Sequence, residues 1–152
     1  MGRFTRKGVS KINFVVTLTS QTVPAIAEIN AGTVLTTALA DIAGFSFENN
    51  PIAVPDLATL FVPSIVGEDT ASDSTLTFYD DDASSVIRTA LAKSNAGYIV
   101  LCPYGITATK RCEVWPAKST GYNDEWTTGN EAAKANCKFA ITAAPNQAAV
   151  TT

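Results

Sequence analysis

Histidine is absent from this chain of 152 residues. Its absence removes Ser-His-Asp and Cys-His nucleophile activation, the HExxH zinc site and every metal or haem site held by imidazole. Carboxylate and lysine chemistry survive that exclusion. Cysteine is scarce: Cys102, Cys112 and Cys137 are the three, and no two form a CxxC pair. An odd count without that spacing supports no zinc site, redox motif or disulfide framework. Each cysteine lies in an apolar run, where a free buried thiol in a reducing compartment is expected. No apolar run is long enough to span a bilayer. The opening MGRFTRKGVSK is basic but leads into an alternating segment, so no signal peptide is expected and assembly in the cytoplasm is the default. No GxGxxG, GxxxxGKS/T or GxSxG occurs, which leaves nucleotide binding and α/β-hydrolase chemistry without support.

Positive charge is missing from a long stretch. Residues 12–87 contain no Lys or Arg, yet carry ten acids, from Glu28 to Asp82. Residues 1–11 hold Arg3, Arg6, Lys7 and Lys11, a charge of +4, and residues 88–152 carry +3. The net of −3 hides this segregation. Complementary patches of this kind suit heterologous contacts between copies, which build rings and filaments. The alternative is that folding interleaves the charges.

What is present is β pattern. At 46% hydrophobic and 16% charged residues, the chain is expected to build one ordered domain over 1–152. Ile12, Phe14, Val16 and Leu18 alternate with polar residues, apart from Val15, and predict a strand with one buried face. Ala27 and Ile29 suggest a short strand. Ile42 to Phe47 suggests another, with Gly44 as a bulge. Leu76 to Tyr79 alternates. Tyr98 to Cys102 is nearly all apolar and predicts a central strand buried on both faces. Lys110 to Trp115 and the segment with Cys137, Phe139 and Ile141 complete the set. Residues 119–130 look like a polar loop, and nothing in the tail AAPNQAAVTT compels order.

Two segments differ. Residues 49–73 open on Asn49-Asn50-Pro51, a turn signal, and predict a long loop. Yet they hold Ile52, Val54, Leu57, Leu60, Phe61, Val62, Ile65 and Val66, too apolar for an ordinary surface loop. The stretch is either partly strand or packed against something outside the monomer. Residues 83–95 predict the one good helix, with Val86, Ile87, Ala90 and Leu91 as its apolar stripe. Asp80, Asp81 and Asp82 suit its N-terminal dipole, with Asp82 as a cap, Lys93 near its end, and Asn95 or Gly97 as its stop. The fold class is therefore mainly β: a β-sandwich or barrel with one flanking α-helix.

Candidate sites are few. The three aspartates could ligate a divalent cation, but they lack the alternating acids of an EF-hand, and capping explains them better. Paired carboxylates for glycoside chemistry have no motif behind them. No catalytic, metal or cofactor residue is expected. The basic arm could touch nucleic acid, but Phe4 has no second aromatic beside it for base stacking. Docking on a neighbouring subunit suits Arg3, Phe4, Arg6 and Lys7 better. Trp115 precedes Pro116 at an apparent strand end and suits the core. Trp126, in a polar stretch, suits an interface.

Several segments, in order, carry a family resemblance: DIAGFSFENNPIAVPDL, IVGEDTASDSTLTFYDD, a helix containing IR, GYIVLCPYG, EVWPAKS and KFAITAAP. With them the chain resembles the major tail tube proteins of tailed phages, especially those of actinobacterial hosts. The run Asp73–Asp82 and the Glu113-Val114-Trp115-Pro116 element are the most specific pieces. The resemblance implies a structural virion protein whose rings, usually hexameric, stack into a hollow tail tube. Genome DNA would pass through the tube without sequence-specific binding. A tape-measure protein would fill the lumen during assembly, with tail terminator and distal tail proteins as further partners. The N-terminal arm and the 49–73 segment are where such proteins contact adjacent rings. That makes Arg3, Phe4, Arg6, Lys7, Ile52, Val54, Leu57, Phe61 and Ile65 the expected inter-subunit residues, joined by Trp126 as the aromatic of a polar stretch. No C-terminal immunoglobulin-like domain is expected. Alternatives are a connector or needle-tube component on a related fold, or, further off, a carboxylate hydrolase.

Overall fold

A strand with one apolar face is stable only beside others like it. The alternating segments of this chain accordingly pair antiparallel throughout. The structure, a computed structural model, describes residues 2–152. Its main sheet runs β2 (Thr33–Val34), β1 (Lys11–Val15), β7 (Ala96–Cys102), β8 (Arg111–Glu125), β9 (Lys134–Ile141), β6 (Ser74–Tyr79), β3 (Leu39–Ala43). A further strand, β10 (Asn146–Val150), pairs with β8. Two more, β4 (Phe47–Ala53) and β5 (Ser64–Ala71), form a separate two-stranded sheet.

The main sheet curls. Its two end strands, β2 and β3, are joined by residues 35–38 alone. That link can reach at most roughly 18 Å. The edges must therefore lie near each other, which gives a partly closed barrel. Inside it pack Phe14, Phe45, Leu76, Phe78, Ile99, Trp115 and Phe139, with Leu91 from beyond the second helix. A smaller cluster of Val15, Ile29, Val100, Cys102, Cys112, Val114 and Ala149 covers the opposite face. Adjacent residues Ile99 and Val100 serve one cluster each, so β7 is buried on both faces, as its apolar run predicts. Pro116 interrupts no pairing that needs its missing amide. It stands where the partner of β8 changes from β10, opposite residues 111–114, to β9, opposite 117–125.

Several sequence expectations are corrected. Strand β1 stops at Val15 and is buried on both faces: Asn13 is buried and Val16 exposed. The Asn13 side chain donates to Ile29 O at 2.9 Å, which ties β1 to a helix. That helix, α1 (Ile26–Ala31), replaces the strand expected around Ala27 and Ile29. A helical turn lets Ile29 reach the outer cluster while Glu28 faces outward, a split that two-residue alternation mimics. The helix expected over 83–95 shrinks to α2 (Val86–Ala90). Asp82 does not cap it. Asp80 instead pairs with Arg88 at 3.5 Å, and Asp81 accepts from Ala83 N at 2.9 Å. Lys93 lies past the helix, whereas Asn95 does close it, donating to Thr89 O and Ala90 O. Among the described residues there are thus two short helices and not one. The expected loop 119–130 is β strand as far as Glu125, because Gly121 to Glu125 pair with Lys134 to Lys138. The C-terminal tail is ordered: β10 pairs with β8, and Thr151 is buried with its hydroxyl on Thr107 O.

Candidate interaction surface

The long loop expected over 49–73 is a β-hairpin that projects from the barrel. Asn49-Asn50-Pro51 lies inside β4, and Pro51 falls where the register shifts between Asn50 and Ile52. A proline is tolerated at such a bulge because no ladder amide is lost. Asn49 repairs the gap. Its side chain donates to Gly67 O at 2.7 Å and accepts from Gly67 N at 3.1 Å, imitating a backbone pair. Gly67 allows the approach, since a Cβ there would stand 1.9 Å from Asn50 O.

The hairpin is anchored at its root by strained backbone. The strand expected over Ile42 to Phe47 ends at Ala43. Gly44 (φ +84) and Phe45 (φ +54) then turn the chain out of the sheet. Phe45 is buried and meets Trp115 edge-on, with ring centres 5.7 Å apart. Its amide donates to the Ser74 hydroxyl at 3.1 Å. Across the root, Ser72 N donates to Ser46 O at 2.9 Å. Burial of the Phe45 ring offsets the cost of the left-handed turn.

Beyond the root, every residue from Asn50 to Val66 is exposed. Ile52 and Ile65 face each other across the ladder. Val54 N donates to Pro63 O at 2.8 Å and closes the last pair. The tip is shaped by Asp56, whose carboxylate accepts from Ala58 N and Thr59 N. It carries Leu57, Leu60 and Phe61 at 108%, 105% and 79% of full exposure. Leu60 and Val66, which belong to the same apolar stretch but not to the expected contact residues Ile52, Val54, Leu57, Phe61 and Ile65, are as bare.

The N-terminal arm lies against the open seam of the barrel. Val9 N and Ser10 N both donate to Arg6 O, and the Ser10 hydroxyl donates to Pro103 O at 2.8 Å. Phe4 rests on Tyr104, with ring centres 5.3 Å apart, and remains half exposed. Phe4 therefore has an aromatic neighbour that spacing along the chain could not reveal. Arg6 and Lys7 line a cleft of about 480 Å³, while Arg3 is exposed. The cleft floor is Ile12, Leu39, Ile42 and Leu101. Its single carboxylate, Glu113, is engaged by Arg111 at 3.5 Å. Trp126 stands apart, just past the end of β8, at 91% exposure. Nothing in the single chain brings it to the hairpin or the arm.

Cys102, Cys112 and Cys137 are free and buried. The neighbouring Cys102 and Cys112 thiols perturb each other, which raises the pKa of Cys102 and lowers that of Cys112. Burial raises Cys137. Arg88 pairs with Asp124 and Asp80 and covers the Tyr122 ring at 4.8 Å. Among the described residues no cluster of three or more His, Cys, Asp or Glu is placed to hold a metal ion. No described helix is long and apolar enough to cross a membrane.

Comparison with known proteins agrees with this architecture. No curated protein sequence matches the chain. Among solved structures, it is similar to a chain of the anti-feeding prophage baseplate, a sixfold-symmetrised structure. The identity is 10% over 96% of this chain and 97% of that one, with a TM-score of 0.64. It is also similar to a chain in the tail of an empty gene-transfer-agent (GTA) particle with C6 symmetry. There the identity is 12% over 97% and 100% of the two chains, with a TM-score of 0.59. At such identities the likeness is one of fold. The family model described as phage tail tube protein matches residues 1–152, and the chain therefore belongs to the phage tail tube protein family, as a structural component of the virion tail.

Proposed function

We propose that this chain is the repeating subunit of the tail tube: copies close into sixfold rings, and the rings stack around a lumen through which the genome is delivered. The observation that carries the reading is the hairpin. A monomer gains nothing by holding Leu57, Leu60 and Phe61 in water on an ordered, proline-stiffened arm. A subunit that must reach its neighbour does. The basic arm and the acidic middle of the sequence supply complementary charge for the same purpose. The sixfold symmetry of the two similar assemblies supports a hexameric ring. In this reading the chain has no catalytic role. A tape-measure protein, a terminator and distal tail proteins are its partners, and DNA passes without being read.

One observation favours a second reading, a ring in the baseplate or another part of an injection apparatus: one of the similar chains belongs to a baseplate structure. Labelling the chain in intact particles and imaging them separates the two. Label along the whole tail supports the tube, and label confined to the tail tip supports the baseplate. A chain that stays a monodisperse monomer even with its tail partners sinks both.

A further inference from the structure

We infer that the hairpin tip of one copy seats in the cleft at the barrel seam of the next, so that the hairpin and the basic N-terminal arm are two halves of one contact. The inference rests on the tube reading and names the surface that receives the hairpin.

Charge favours the pairing. The hairpin from Phe47 to Ala71 carries Glu48, Asp56, Glu68 and Asp69 and no cation. The cleft rim carries Arg6, Lys7 and Lys11, and its one carboxylate, Glu113, is already held by Arg111. The tip thus brings Asp56 and no cation to a basic rim, while Glu48, Glu68 and Asp69 near the root keep the rest of the arm acidic, an arrangement that steers and orients association. The apolar parts match as well. The tip presents two leucines and a phenylalanine, and the cleft floor is aliphatic. At about 480 Å³ the cleft lies within the usual range for pockets that enclose an apolar group.

The tip is also preorganised. The Asp56 turn, the Thr59 hydroxyl on Phe61 O at 2.9 Å and the Val54–Pro63 bond fix its shape before any partner arrives. Preorganisation lowers the ordering cost of docking. Strand β4 alone spans roughly 23 Å at about 3.3 Å per residue, enough to carry the tip well beyond its own root. No hairpin residue lines the cleft of the same chain. Tip and cleft are different patches, so the contact is heterologous and propagates from copy to copy.

The test is a cross-link. A chain with Leu60→Cys and Ile42→Cys is assembled into tubes and oxidised with copper-phenanthroline, which joins two neighbouring thiols as a disulfide. The native thiols are buried and stay out of the reaction. The expected result is a ladder of covalent multimers on a non-reducing gel, lost with either single variant and lost when Cys replaces Val16, an exposed residue outside the cleft, in place of Ile42. In parallel, Leu60→Asp should leave the circular dichroism of the chain unchanged and reduce tube yield at least tenfold. Tubes that form without the ladder, or a disulfide closed within one chain, overturn the pairing and leave the tube reading standing. Failure of the wild type to form tubes with its tail partners sinks both together.

Discussion

At the residue scale, the root of the hairpin concentrates the strain of the fold. Gly44 combines a left-handed backbone with a site where a Cβ would stand 2.2 Å from Asp73 O. Gly44→Ala should destabilise the chain by about 2 kcal/mol or more, read as a lowered midpoint in urea unfolding. Phe45→Ala removes the ring that offsets this turn and should cost about 3 kcal/mol in the same assay. The thiols make a separate prediction. In the native chain Cys102, Cys112 and Cys137 should resist a water-soluble thiol reagent, and all three should react on unfolding. Fast native labelling of any of them would contradict the burial described. Glu28 supplies a pH test. The Thr19 hydroxyl and amide both donate to its carboxylate, which lowers its pKa below the ordinary 4.5. A lowered folded pKa means stability that is present above the ordinary value and lost as pH falls through the folded one. Thr19→Val should therefore be less stable than wild type at neutral pH, with the gap closing in acid. A gap that persists or widens in acid would argue against this bond.

At the element scale, what the sequence revealed depended on how local the cause was. Strands β6 and β7 were legible because one face of β6 and the middle of both faces of β7 are covered by the core. Helix α1 was not. Alternation puts Ala27 and Ile29 on one face and a helix puts them on opposite faces, but Ala27 is small enough to suit either side, and six residues carry too little pattern to decide. The far end of β8 was missed because its residues are mostly polar and its strand character comes from β9, a partner fixed only by tertiary pairing. Asp80 to Asp82 read as a cap because local electrostatics is all a sequence shows, whereas Arg88 claims Asp80 in the fold. The apolar excess of residues 49–73 was plain, but its form was not, since Asn-Asn-Pro signals a turn in isolation and a bulged strand once Gly67 lies opposite. The cleft could not have been read at all. Its walls come from the N-terminal arm, β3 and β7, which are distant in sequence. Because the hairpin is its own two-stranded sheet, replacing residues 52–66 with a short polar turn should leave the barrel folded and the thermal midpoint nearly unchanged. It should abolish stacking. Normal tubes from that variant would remove the hairpin from the inter-subunit contact.

At the scale of the whole molecule, the curled sheet, the projecting hairpin and the basic arm form a unit complete in its core and incomplete at its surface. The inner and outer clusters satisfy the barrel, while the largest bare apolar side chains stand on an arm that the barrel does not need. Salt should weaken assembly, because acidic hairpin and basic rim are solvent-exposed and screened within about 8 Å at physiological ionic strength. Raising salt tenfold at fixed protein concentration should slow tube growth, followed by light scattering, and unchanged growth would argue against charge-guided docking. Whether the chain assembles into a stacked, hollow tube is decided by electron microscopy of the assembled protein with its symmetry determined. The expected image is of long hollow tubes of stacked sixfold rings. Particles that remain single subunits, or closed assemblies without a lumen or axial repeat, would contradict it.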